Sequence, residues 1–207
     1  MTKANVDSFD IVKETQVIYR KLLDCMARPG KIENISSSVE DLTKHKLFSP
    51  VLEGIVLALV DQEVSFKVVG PQSEEVMQYL KWKTFGVEAP ISMADFIFIP
   101  EELMDAEISP LMKQVKIGTL EDPHLSATII ILVKNLSTIT NDNGNSLTFQ
   151  GPGIAEKMTI NIEGMSNAWL SERKKINKEF PLGVDFIFVT EAGDIMAIPR
   201  TTLIESE

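Results

Sequence analysis

The stretch Ser126–Val133, SATIIILV, is the most continuous apolar run with strand character in the chain, and its reading decides the fold. A short run of this kind, apolar at successive positions and bounded by a turn-rich segment, fits a strand buried on both faces and therefore central in its sheet. Working upstream, KIGTLEDP (Lys116–Pro123) is a turn-rich loop and SPLMKQV (Ser109–Val115) a short helix. ADFIFIP (Ala94–Pro100) and VSFKVVG (Val64–Gly70) read as strands. Between them PQSEEVMQYLKW (Pro71–Trp82) reads as a helix begun by its proline, with early acids that suit the dipole. From Pro50, VLEGIVLALVD is helical and apolar on nearly all sides, which predicts deep burial. The first helix runs from Ser8 to Ala27, its apolar residues recurring at spacings of three and four; Pro29 and Gly30 stop it and turn the chain into the extended KIENIS.

Downstream, TNDNGN (Thr140–Asn145) is a turn joining two strands, because Asn and Gly tolerate left-handed backbone. SLTFQGPG and EKMTINI follow as strand, turn and strand, then SNAWLSERKKINKEF as a helix whose basic residues gather toward its C-terminal half, as the macrodipole favours. VDFIFVT and DIMAIP, separated by EAGD, form a closing hairpin. Strands alternating with helices, with two hairpins, predict an α/β protein: a single domain over residues 1–207, with a mixed sheet flanked by helices.

The bulk properties narrow the function. A formal net charge of −10 disfavours a general nucleic-acid binder, whose affinity rests on Lys and Arg neutralising phosphates. No apolar run reaches the length of a membrane span, and the N-terminus carries charges where a secretory signal would be apolar, so the expected location is the cytosol. The single cysteine, Cys25, lies in the first helix and reads as a buried, inert thiol. His45 and His124 have no ligand-like neighbours at metal-binding spacing, and no metal site is expected.

Three Gly/Pro clusters remain, all beside strands: Lys116–Pro123 with Gly118 and Thr119, Gly151-Pro152-Gly153, and Phe180–Gly183 with Pro181. Each can expose backbone amides to an anion, and each can equally be a turn that requires glycine. IPRTT (Ile198–Thr202) poses the same choice. The Arg200 guanidinium can hold a phosphate or carboxylate with Thr201 and Thr202 beside it, or pair with Asp185 across the hairpin, or with an acid on a partner subunit.

Five segments, YRKLLDCMARPG, IGTLEDP leading into SAT, LTFQGPGI, FPLGVDFIFVT and AIPRTT, occur in an order and spacing that resemble the H subunit of the bacterial carbon–phosphorus lyase system, the PhnH family. The resemblance spans nearly the whole chain. It implies a fold similar to the large domain of pyridoxal-phosphate-dependent transferases, without that cofactor or any other in this subunit. It also implies a place in a complex with subunits G, I and J, with ATP as the complex's substrate, and a capacity to pair with itself. That complex works in organophosphonate catabolism, transferring an alkylphosphonate to the ribose C1 of ATP with release of adenine. The H subunit's implied part is assisting rather than chiefly catalytic; the competing reading, from the residues, is an independent nucleotide- or phosphonate-binding protein or small enzyme that uses Arg200 and the Gly/Pro turns as an anion site. The carried-over positions are Arg20, Asp24, Pro29, Gly30, Gly118, Thr119, Gly151, Pro152, Gly153, Pro181, Gly183, Asp185, Pro199, Arg200, Thr201 and Thr202. One departure falls at Trp82-Lys83-Thr84, where the family pattern has a histidine between an aromatic residue and a threonine. It removes a histidine-based mechanism there and leaves Lys83 an electropositive role.

Overall fold

The computed structural model describes residues 9–42, 48–139 and 144–206. Within them the helices are α1 (Ile11–Ala27), α2 (Ser36–Val39), α3 (Pro50–Leu59), α4 (Ser73–Thr84), α5 (Asp105–Met112) and α6 (Asn167–Ile176). The strands are β1 (Glu33–Asn34), β2 (Ser65–Val68), β3 (Val87–Glu88), β4 (Phe96–Ile99), β5 (Thr128–Val133), β6 (Asn135–Ser137), β7 (Asn145–Gln150), β8 (Met158–Glu163), β9 (Asp185–Thr190), β10 (Asp194–Ile198) and β11 (Leu203–Ser206). Ser8, His45 and most of the TNDNGN turn lie outside the described residues.

The SATIIILV run forms β5, in the middle of a seven-stranded sheet ordered β1-β10-β9-β5-β4-β2-β3. Strands β9, β5, β4, β2 and β3 are parallel to one another and β10 is antiparallel to β9, so the sheet is mixed. Strand alternation divides the core between its faces. Ile129, Ile131, Phe186 and Phe188 point to one core, and Ile130, Ile187 and Val189 to the other. The second core is closed by α1, α3 and α4, through residues such as Ile18, Leu22, Ile55 and Leu80.

The first core is closed differently from the expectation of helices on both faces. It carries α5 and α6, but also a separate antiparallel sheet, β11-β7-β8-β6, that contributes Leu147, Phe149, Ile160 and Ile162. The two predicted hairpins are both present, β7 with β8 and β9 with β10. The strands flanking TNDNGN do not pair with each other; β6 and β7 lie on opposite sides of β8. Nor does the chain close on the β9–β10 hairpin, because β11 leaves it to pair with β7.

Local boundaries also shift for identifiable reasons. Asp10 caps α1 by accepting from the backbone of Val12 and Lys13. Helix α4 starts at Ser73, not at Pro71, after Gln72 takes a left-handed conformation. Helix α5 begins upstream of the predicted segment because the Glu107 carboxylate accepts from the Met104 N–H and fixes an earlier start, which leaves Pro110 inside the helix. The extended KIENIS contributes only the two residues of β1.

Cys25 is fully buried under β10, with Sγ 3.6 Å from the Ile195 carbonyl. Burial, reinforced by the Glu33 charge, pushes its thiol up to about 11. The thiolate needed for reaction is therefore scarce at neutral pH. A thiol-exchange reagent such as DTNB is expected to label the native chain far more slowly than the urea-unfolded chain, in a timed absorbance assay; equal rates would place the thiol at the surface.

Candidate functional site

The predicted motifs converge at the amino ends of β5 and β9. Asp185, the first residue of β9, is buried and receives Arg200 through three donors: the backbone N–H to Oδ1 at 2.6 Å, Nε to Oδ1 at 3.3 Å and Nη2 to Oδ2 at 2.8 Å. The third guanidinium nitrogen, Nη1, donates to the Pro123 carbonyl. Of the alternatives open for Arg200, the structure makes the Asp185 pair. The Pro199 carbonyl accepts from Thr202 N–H at 2.9 Å, so the 199–202 segment is a turn that passes the chain from the seven-stranded sheet into the four-stranded one.

The glycine clusters pack around that turn. Gly118, with φ +79°, lets its loop fold onto the Pro123 carbonyl that Arg200 engages, while Thr119 and Asp122 bond to each other across the loop. Pro181 follows Phe180 through a cis peptide, and Gly183 N–H donates to the Ile117 carbonyl at 3.0 Å, tying the entry of β9 to the same loop. In the Gly151-Pro152-Gly153 turn, Gly151 lies under the Thr201 carbonyl, Pro152 is exposed, and Gly153 packs on the end of α1. A Cβ on Gly153 would stand 2.2 Å from the Ala27 carbonyl oxygen. Gly153→Ala is therefore expected to cost about 2 kcal/mol in urea denaturation, from left-handed strain and that backbone clash together. A loss near zero would mean the turn can move off α1.

Lys83, Arg20 and Asp24 do not join this cluster; Asp24, on α1, accepts from Lys31 Nζ at 2.5 Å. Lys83 on α4 lies on the far face of the large sheet, with Nζ 2.5 Å from the buried Glu53 carboxylate of α3. Arg20 is exposed on α1, on that same far side. His124 is exposed in a short turn, 3.9 Å from Asp122. Among the described residues, no group of three or more His, Cys, Asp or Glu side chains is placed to hold a metal ion.

What sequence reasoning missed is the cation cluster of α6. Trp169 anchors this helix by edge-to-face packing on Phe186 of β9, with centroids 6.0 Å apart. That docking brings Arg173, Lys174 and, just past the helix, Lys178 to a cleft of about 780 Å³ that Arg200 and Thr202 also line. Arg173 is only 4% exposed and donates to the Pro199 carbonyl at 2.6 Å and the Thr202 carbonyl at 3.3 Å. Burial lowers its pKa to about 10, against the pull of Asp185, so it stays cationic at neutral pH. Its Nε and the buried Thr202 hydroxyl have no hydrogen-bond partner among the described residues. The available signal was RKKINK, a run of cations richer than a C-terminal helix turn needs.

Comparison with known proteins gives a consistent family. A family profile described as bacterial phosphonate metabolism protein (PhnH) matches residues 8–205. A putative C-P lyase subunit protein, HtxG, of Stutzerimonas stutzeri is 26% identical over 188 residues, covering 90% of this chain and 84% of the relative. The alpha-D-ribose 1-methylphosphonate 5-triphosphate synthase subunit PhnH of Rhizobium meliloti (strain 1021) is 27% identical over 202 residues, covering 96% and 94%. Among the described residues no helix is long and apolar enough to cross a membrane.

Proposed function

The chain belongs to the PhnH family of bacterial phosphonate metabolism proteins, and from that membership we propose that it serves as an assisting subunit of a carbon–phosphorus lyase assembly. The observation that carries this reading is the end-to-end match, residues 8–205, to a family whose relatives are named as subunits. The partners proposed are subunits G, I and J. The reaction assisted is attack of an alkylphosphonate oxygen on the ribose C1 of ATP as the glycosidic C1–N bond breaks; the proton lost from the phosphonate hydroxyl is matched by the one taken up by the leaving base, which departs as neutral adenine. No cofactor is assigned to this subunit, and the seven-stranded sheet is taken as the counterpart of the large domain of pyridoxal-phosphate-dependent transferases.

The surface suits a chain that works in contact with others. Trp82 and Phe85, near the end of α4, are 75% and 76% exposed, beside the edge strand β3. Large exposed aromatics at an unpaired sheet edge are a liability for a free monomer and an asset for a docked one. Co-expression with the G, I and J homologues from the same genome, followed by affinity capture of this chain, should return a stable assembly through gel filtration. Failure of this chain to co-purify with any of the three would overturn the subunit reading.

A further inference from the structure

The C-terminal end of α4 holds an aromatic ring outward at a cost. Phe85 follows the last residue of the helix with φ +58°, left-handed backbone that glycine ordinarily supplies at this position. It cannot relax, because both of its neighbours are fixed. Thr84 Oγ1 donates to the Leu80 carbonyl at 2.9 Å and accepts from the Gly86 N–H at 3.1 Å, while the Phe85 N–H donates to the Lys81 carbonyl at 3.0 Å. Gly86 is packed so closely that a Cβ there would stand 2.4 Å from Val60 Cγ1. The Phe85 ring gains no burial in return: it is largely exposed, as is Trp82 one turn earlier, and Val87 at the start of β3 is half exposed. Two large aromatics held in water, one of them at a backbone cost, have no account in the stability of this chain alone.

Beside these rings the sheet is open. β3 is the last strand in its order and runs parallel to β2. The Val87 N–H donates to the Val64 carbonyl and the Ala89 N–H to the Phe66 carbonyl, so both residues face β2. Strand alternation turns the Glu88 N–H and C=O to the side that no strand covers, and Pro90 ends the open run. The Glu88 carboxylate meets Lys67 Nζ at 3.0 Å and Lys81 Nζ at 3.3 Å; two cations on one acid leave this edge a positive excess in a chain of net charge −10. Size decides against a second copy. Trp and Phe each offer about 150–250 Å², so three-quarters of both comes to about 300 Å², well under the roughly 800 Å² per partner of a stable interface. Two copies joined edge to edge would add only two short strands to that, whereas a longer segment can pair with Glu88 and go on to cover both rings. We propose that this edge accepts an extended segment of a sister subunit, bonded through the Glu88 backbone, apolar where it crosses Phe85 and Trp82 and carrying an acid opposite Lys81. This docking rests on the subunit role proposed above and names the surface that role uses.

Co-expression of the tagged chain with its G, I and J homologues tests it, read as sister subunits retained per tagged chain after gel filtration, beside the melting temperature of each variant alone. Phe85→Gly is expected to melt about 1–2 °C higher than the parent, because glycine relieves the left-handed strain. Trp82→Ser/Phe85→Gly changes exposed side chains and should fold, yet retain at least about tenfold less of the sister subunits. Glu88→Ala removes only the side chain, whereas Glu88→Pro removes the outward N–H as well, and should retain at least about threefold less than Glu88→Ala. Full retention by Trp82→Ser/Phe85→Gly overturns the proposal and leaves the subunit role standing, as does equal retention by the two Glu88 variants. A Phe85→Gly chain that melts several degrees lower shows the ring to be a structural contact and overturns it too. If the parent self-associates in sedimentation and Trp82→Ser/Phe85→Gly is monomeric, with sister subunits retained by both, the edge serves a second copy and the proposal is wrong. A parent that retains no sister subunit strikes the subunit role itself, and this docking with it.

Discussion

Replacing Asp185 with asparagine is expected to destabilise the chain by about 3–5 kcal/mol, read as a fall in the urea midpoint at unchanged slope. The substitution keeps shape and removes only charge. Asp185 is buried and accepts from the Arg200 backbone N–H, Nε and Nη2, while a second guanidinium, that of the buried Arg173, lies close enough to feel its field. An asparagine offers one acceptor oxygen where the carboxylate offered two, and sets an amide N–H₂ against an arginine donor. Two largely buried cations would then face no anion. The pair is also asymmetric: Arg200→Met leaves Asp185 with Arg173 nearby, so it should cost less than Asp185→Asn. The double variant Asp185→Asn/Arg200→Met should be more stable than Asp185→Asn alone, because it removes one of the stranded cations. A loss under about 1 kcal/mol for Asp185→Asn would mean that the turn between the sheets holds without this pair.

That turn also marks how far the sequence could be read. β5 and β9 were legible because a buried central strand writes itself as a local apolar run, and the hairpins because their turns do. The second sheet was not. SLTFQ and MTINI alternate as any half-buried strand does, and nothing local says which sheet a strand joins; that depends on β11, which reaches β7 only after the 199–202 turn redirects the chain. Arg200 and Asp185 were legible as a possible pair because a hairpin register is a local property. The cleft was not legible, since its walls come from β7, α6 and the 200–204 segment and meet only through the docking of Trp169 on Phe186. The Lys83 partner had a readable clue: in the middle of a helix apolar on nearly all sides stands an acid, Glu53, and a buried acid requires a cation.

Lys83→Met follows from that requirement, with an expected cost of about 3–5 kcal/mol. Glu53 is fully buried; its Oε1 accepts from Lys83 Nζ at 2.5 Å and Tyr79 OH at 2.8 Å, and its Oε2 has no partner among the described residues. Without Lys83 a buried carboxylate would keep a single hydroxyl donor. The reverse change, Glu53→Gln, should cost less, about 1–2 kcal/mol, because Lys83 lies near the surface and its ammonium can swing toward water. Glu53→Met/Lys83→Met removes both charges and should recover most of the Lys83→Met loss. The pair also sets a pH dependence. Burial pulls the Lys83 pKa down, but the bonds to Glu53 and Tyr79 outweigh it and hold the pKa above the usual lysine value, while burial raises that of Tyr79. Both groups hold their protons more tightly folded than unfolded, so their contribution is complete below the unfolded values near 10 and is lost as pH rises through the folded ones. The alkaline limb of a stability-against-pH curve, from urea midpoints between pH 7 and 11, should therefore be shallower in Lys83→Met than in the parent. An unchanged limb, or a double variant no more stable than Lys83→Met, would show that Glu53 is neutralised by something other than Lys83.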